Sequence, residues 1–196
     1  MTRLAIAIPT HMFVAPQMAQ SLARMCLALR DVEVVGVRFF GNAVSTFGRN
    51  ELVRWAMEEQ ASHVLWIDTD SVFPARAAQA LLSSGFPFIG ANFALKDGSR
   101  QSAVWGRDGQ RLLPKPVGIE EVSTLGFGFT LTHMHVLGAV GSPWFQVVDG
   151  EGGGPADEWR FCNLARDRGF PPHVDHGLSA ECAHVGLWPH RLPGGD

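Results

Sequence analysis

Long apolar runs are missing from this chain. The opening MTRLAIAIPTHMF has one basic residue and a single short apolar run, Leu4 to Ile8, before Pro9. That run is shorter than a signal-peptide core and far short of the ~20 residues that span a bilayer. The apolar stretches elsewhere are also strand-sized, so the expectation is a cytoplasmic protein with no integral membrane segment. Cysteine is scarce as well: Cys26, Cys162 and Cys182 are odd in number and widely spaced. This excludes a paired zinc motif and a disulfide framework, and it suits a reducing compartment. Charge is thin, at 18% of residues with a net of -3 and a pI near 6.2. No general electrostatic attraction to nucleic acid follows. The one local basic cluster, Arg100, Arg107, Arg111 and Lys115, is what a DNA partner would have to use. Phosphate-binding signatures are absent too. No GxGxxG follows the first strand-like run, GxxxxGK[ST] occurs nowhere, and neither does HExxH. A nucleotide, if bound, is held another way.

What remains suits one sizeable core: 196 residues, 46% of them hydrophobic. Leu4 to Ile8 reads as a buried strand, 16–30 as a helix with Met18, Leu22, Met25, Cys26 and Leu29 on one face, and 32–39 as a second strand. A helix over 49–60, a strand over 64–67 and a helix from Pro74 to about Ser83 follow. This β-α-β alternation predicts an α/β fold with a mostly parallel central sheet. Beyond it, strands are expected over 86–93, 117–123 and 144–148, and helices over 132–139 and 157–168. The segment 96–116 is weakly patterned and fits a lip on the ligand side, with a small hairpin at Val104 and Trp105. The glycine-rich 151–155 is the lid candidate.

The central stretch is LWIDTDSVFP, Leu65 to Pro74. It places Asp68 and Asp70 where a central strand ends, the edge at which open α/β sheets bind ligands. Two carboxylates held together there cost energy unless a cation offsets them, and a metal can draw both, or one directly and one through water. The same residues also make an ordinary capped turn before a proline-started helix. Arg49, at the expected start of a helix, opposes the helix dipole unless it faces an anion, such as a diphosphate, or pairs with an acid such as a strand-end Asp. Leu125-Gly126-Phe127-Gly128-Phe129 suits either close approach of backbone to a ligand or a bulge. Asp157 and Glu158 open a helix, as good capping acids do. The tail holds His173, Asp175, His176, Glu181, Cys182, His184 and His190 without zinc-site spacing, and spacing alone does not choose which histidine joins Asp70.

Taken in order, these segments resemble the GT-A glycosyltransferases, especially the compact family-2-like proteins of bacteria and their phages. The resemblance covers most of the chain. It runs through Pro9-Thr10 after the first strand, Gly48-Arg49-Asn50 opening a helix, the DxD of LWIDTDSVFP, the glycine-containing Leu125 to Phe129, Asp157-Glu158 with its helix, and Ala183-His184-Val185-Gly186. It implies a single GT-A, Rossmann-like nucleotide-diphospho-sugar transferase domain over 1–196. Residues 1–95 would be the nucleotide-binding half, and 96–196 the acceptor side and completion of the metal site. It further implies a hexosyl or related transfer from a nucleotide-diphosphate sugar to a hydroxyl acceptor: a glycan, lipid-linked sugar, small molecule, protein or modified DNA. Asp70, His184 and Asp68 would hold Mn²⁺ or Mg²⁺. Pro9, Thr10 and Asp31 or Glu33 would contact the nucleoside, and Arg49 the phosphates or the acid network. Glu158 would be the base of an inverting reaction. The family's usual Glu-Asp order is reversed here, which keeps Asp157 beside it and a retaining course open. The location implied is the cytoplasm of a bacterium or a phage-infected host. The competing readings are a nucleotide- or sugar-binding protein, a catalytically degenerate transferase, and a nucleotidyltransferase. The last expects a basic phosphate loop that 4–16 does not supply.

Overall fold

The alternating pattern of the first half becomes three parallel strands joined by two crossover helices. The computed structural model describes residues 1–10, 13–41, 45–146 and 156–185. In chain order, β1 (Thr2–Thr10), α1 (Pro16–Ala28), β2 (Val32–Gly41), α2 (Ser45–Glu58) and β3 (His63–Ile67) come first. β1 pairs in parallel with both β2 and β3, and its Leu4 to Ile8 are completely buried. Leu4, Ile6 and Ile8 pack with Met18 and Met25 of α1, while Ala5 and Ala7 pack with Leu52, Val53 and Ala56 of α2. A strand covered on both faces has no polar side to present, hence its unbroken apolar run.

The second half contributes β4 (Ser71–Val72), α3 (Ala77–Ser83), β5 (Phe88–Gly90), β6 (Ile119–Glu121) and β7 (Phe129–His133). These are followed by α4 (Met134–Val140), α5 (Ala156–Asp167), β8 (His173–Asp175), α6 (His176–Ser179) and β9 (Ala183–His184). Seven strands form one sheet in the order β2-β1-β3-β7-β5-β8-β6. β2, β1, β3, β5 and β8 run one way, and β7 and β6 run against them. The mostly parallel α/β sheet is as expected. α1, α3 and α6 cover one face, and α2, α4 and α5 the other. β4 and β9 form a separate two-stranded sheet. No helix among the described residues is long and apolar enough to cross a membrane.

Several boundaries differ from the sequence pattern. α3 starts at Ala77, after Pro74, because Ser71 and Val72 first turn into β4. Thr132 and His133 belong to β7 and not to the helix after it, since both pair with β3. The expected strand over 144–148 is absent from its described part, 144–146. There the amides of Trp144 and Phe145 both donate to Asn50 Oδ1, at 2.9 and 3.2 Å. The rest of that strand and the proposed lid, 151–155, lie outside the described residues. The hairpin at Val104 and Trp105 does form, with Trp105 bridged to Arg111.

Candidate functional site

Because β1, β2 and β3 are parallel, their C-terminal ends share one edge. The DxD turn leaves from it and is pinned by backbone hydrogen bonds. Asp68 N–H donates to Gly128 O (3.0 Å), Ser71 N–H to Asp68 O (3.2 Å), and Ala15 N–H to Thr69 O (2.9 Å). β4 then lies antiparallel to β9, with Ser71 opposite His184, and Val185 N–H donates to Asp70 O at 2.7 Å. This small sheet carries a histidine from near the far end of the chain to the turn. Asp68, Asp70 and His184 each offer a ligand atom, and all three atoms lie within 4.8 Å of one another.

The histidine is oriented for ligation. Its Nδ1 lies 3.0 Å from Ala94 O; a carbonyl only accepts, so Nδ1 carries the proton and Nε2 keeps its lone pair. Nε2 is buried and without a hydrogen-bond partner, which ordinarily costs free energy. Burial, and then the nearby Lys96 charge, lower the His184 pKa and favour the neutral ring. Phe93 stacks on that ring at 4.6 Å between centroids. A buried imidazole nitrogen without a partner, its other nitrogen fixed by a backbone carbonyl, beside two carboxylates, fits a divalent cation. Meanwhile Lys96 Nζ sits 2.5 Å from Asp70 Oδ2.

A second cluster is built on Arg49 of α2. Its two terminal nitrogens meet Asp157 Oδ2 at 2.6 Å and Glu158 Oε1 at 2.5 Å, and all three residues are buried. The guanidinium also lies over the Phe127 and Phe145 rings, 5.5 and 5.6 Å from their centroids. Burial alone favours the neutral arginine, but Glu158, Asp157 and Asp68 outweigh it and raise its pKa. For Glu158 the balance runs the other way. Burial pushes its pKa up to about 7, against the pull of Arg49 and a hydrogen bond from the Phe127 backbone, and with the help of Asp68 and Asp157.

The glycine segment lies between the clusters. A Cβ added at Gly126 would stand 3.8 Å from Glu158 Oε2, and one at Gly128 would stand 3.4 Å from His184 Nε2. Phe127 points into the core beneath α2 and α5, and Phe129 into the core beneath α1 and α3. The chain therefore changes face between them, as a bulge does, and the two glycines border one side chain of each cluster.

No protein-family model matches this chain, and no curated protein does. Solved structures resemble it. A197 from STIV superimposes over 95% of this chain and 86% of its own, with a TM-score of 0.66 at 16% identity. GalNAc-T7, solved with UDP, GalNAc and Mn²⁺, superimposes over 98% of this chain with a TM-score of 0.51 at 12% identity; the chain spans 44% of that protein. GalNAc-T7 is a GT-A glycosyltransferase. The fold is GT-A-like.

On this GT-A-like sheet the expected site residues divide into four groups. Asp68, Asp70 and His184 converge. Pro9 and Thr10 stand at the end of β1 on the same edge, opposite Phe40 and Gly41 of β2. Arg49, Asp157 and Glu158 form their own buried clamp, so the acids that Arg49 meets are those of α5 and not the strand-end aspartates. Asp31 and Glu33 are not brought to the site. Asp31 precedes β2, and Glu33 is paired with Arg3 across from the start of β1. At about 3.3 Å per residue, the strand from Arg3 to Thr10 separates Glu33 from the site edge by roughly 20 Å. The nucleoside-contact expectation for these two is corrected by strand direction: residues at the start of a parallel strand sit on the edge away from the ligand. Lys96 and Ala94 are the residues that sequence reasoning did not single out; Gly128 and Asn50 stand in the motifs Leu125 to Phe129 and Gly48-Arg49-Asn50, but the sequence alone does not give their contacts.

Proposed function

We propose that this protein is a metal-dependent glycosyltransferase that moves a sugar from a nucleotide-diphosphate sugar to a hydroxyl acceptor. The observation that carries the reading is His184, whose Nε2 has no hydrogen-bond partner, gathered with Asp68 and Asp70 so that their ligand atoms lie within 4.8 Å of one another on a GT-A-like sheet. Asp70 and His184 would hold Mn²⁺ or Mg²⁺, with Asp68 completing the set directly or through water. Bound there, the ion would offset the charge of the departing diphosphate.

The chain's own residues do the rest. Pro9 and Thr10 border the nucleoside end of the edge. Residues 1–95 form the nucleotide-binding half, and 96–196 supply the acceptor side together with His184. In the inverting course, Glu158 takes the acceptor hydroxyl proton as the acceptor oxygen bonds to the anomeric carbon; the carbon–phosphate-oxygen bond breaks and its electron pair leaves with the diphosphate. A carboxylate whose pKa is raised to about 7 is a stronger base than an ordinary one. Asp157 holds Arg49 against it. One observation favours a second reading, a donor-binding protein without turnover: Glu158 is buried and already engaged by Arg49.

A mass-spectrometric screen of nucleotide sugars, with Mn²⁺ or with chelator, decides between these. The transferase reading expects Mn²⁺-dependent release of a nucleoside diphosphate from at least one donor, abolished in D70N. Tight donor binding without release supports the second reading, and neither binding nor release contradicts both.

A further inference from the structure

Lys96 stands on the segment that organises the metal-ligating histidine. Within four residues this segment stacks Phe93 on the His184 ring, accepts the Nδ1 proton at Ala94 O, and carries Lys96 to Asp70. The Lys96 ammonium lies 2.5 Å from Asp70 Oδ2 and close enough to His184 to help lower its pKa. A divalent cation reaching Asp70 meets a positive charge already there. Arg49 has both terminal nitrogens committed to Asp157 and Glu158 inside the core. Lys96 is different: its side chain is 49% exposed, and a lysine carries its charge on a flexible four-carbon stem.

Resting on the donor-diphosphate reading above, we propose that Lys96 is a phosphate-binding residue that exchanges partners. It neutralises Asp70 while the site lacks a divalent ion, and it moves to the diphosphate when the ion takes Asp70. The charges account for the exchange. Asp68 and Asp70 alone repel each other, and Lys96 relieves that repulsion. A divalent ion relieves it more fully and repels the ammonium, and a diphosphate then offers the ammonium a new anionic partner. The same residue therefore opposes binding of the bare ion and favours binding of the ion with its diphosphate. A lysine present only to shape the loop would also oppose the bare ion through its pair with Asp70, but it would not favour the ion with its diphosphate.

The test is calorimetric titration of wild type, K96Q, K96R and D70N, all checked for folding by circular dichroism. The probes are Mn²⁺ alone and the preformed Mn²⁺–pyrophosphate complex. The expected result is opposite shifts in K96Q: Mn²⁺ alone binds roughly three- to tenfold tighter, and the complex binds more weakly by a similar factor. K96R, which keeps the charge, should stay near wild type for both probes. Unchanged or weaker Mn²⁺ binding in K96Q, with wild-type binding still lost in D70N, overturns the exchange and leaves the metal site standing. Mn²⁺ binding that survives D70N, or is absent from every variant including K96Q, overturns the metal reading and this inference with it.

Discussion

Arg49 shows how much one side chain decides. Three charges are buried together, and their balance depends on all three staying in place. Replacing Arg49 with methionine keeps most of the volume and leaves Asp157 and Glu158 without their cation. Removing one partner of a buried ion pair costs about 3–5 kcal/mol. R49M should therefore lose about that much in urea unfolding at pH 8, and less at pH 5, where Glu158 is protonated. Glu158 itself makes a signed prediction. Its pKa rises from an ordinary 4.5 to about 7 on folding, so between those values the folded chain binds the proton more tightly than the unfolded one. This contribution to stability is complete below about pH 4.5 and is lost as pH rises through about 7. E158Q is neutral throughout and escapes the loss. Its Tm relative to wild type should climb by roughly 5 °C from pH 5 to pH 8, and a difference that falls over that range would contradict the burial argument.

Among elements, the β4–β9 pair and the glycine bend before β7 make the site. Gly128 has ordinary backbone angles and close neighbours only at 3.4 Å, so alanine there should fold with a Tm within about 3 °C of wild type. Its methyl group would nonetheless stand against His184 Nε2. G128A should weaken Mn²⁺ binding by at least about tenfold, on the scale of other disturbances around metal ligands, and calorimetry reads it directly. Gly90 provides the contrast. A Cβ there meets Thr130 Oγ1 at 2.3 Å and Phe129 O at 2.8 Å, so substitution would strain the sheet and not the site.

Legibility in the sequence also divides by element. β1 and β3 are readable because strands buried on both faces write unbroken apolar runs, β2 because its apolar run at the sheet edge is interrupted only by Glu33, Gly36 and Arg38, and the DxD turn because Asp68 and Asp70 stand where the β3 run ends. β5 and β6 lie inside the expected runs 86–93 and 117–123 but keep only three residues each, and β8, also three residues, is too short to write a period. The partners of Arg49 lie 108 and 109 residues away, and no local pattern reports that distance. Lys96 looked like one polar residue in a polar lip, because its role depends on where Ala94 and His184 meet. For Asp31 and Glu33 the strand boundary decides: a strand beginning at Val32 puts both on the edge away from the DxD turn.

For the molecule as a whole, distant parts of the chain meet at one point. The turn after β3, the segment after β5, the bend before β7 and the strand β9 gather around a single imidazole nitrogen. The seven-stranded sheet exists independently of that nitrogen, so the fold and the proposed chemistry can be tested apart. The most direct measurement is an electron paramagnetic resonance titration of Mn²⁺ into wild type, D70N and H184A under identical conditions. The account predicts one ion bound per wild-type chain and binding lost in both variants while each keeps its circular dichroism spectrum. Binding of equal strength in H184A would contradict it, because the ion would then be held without the nitrogen on which the site is built.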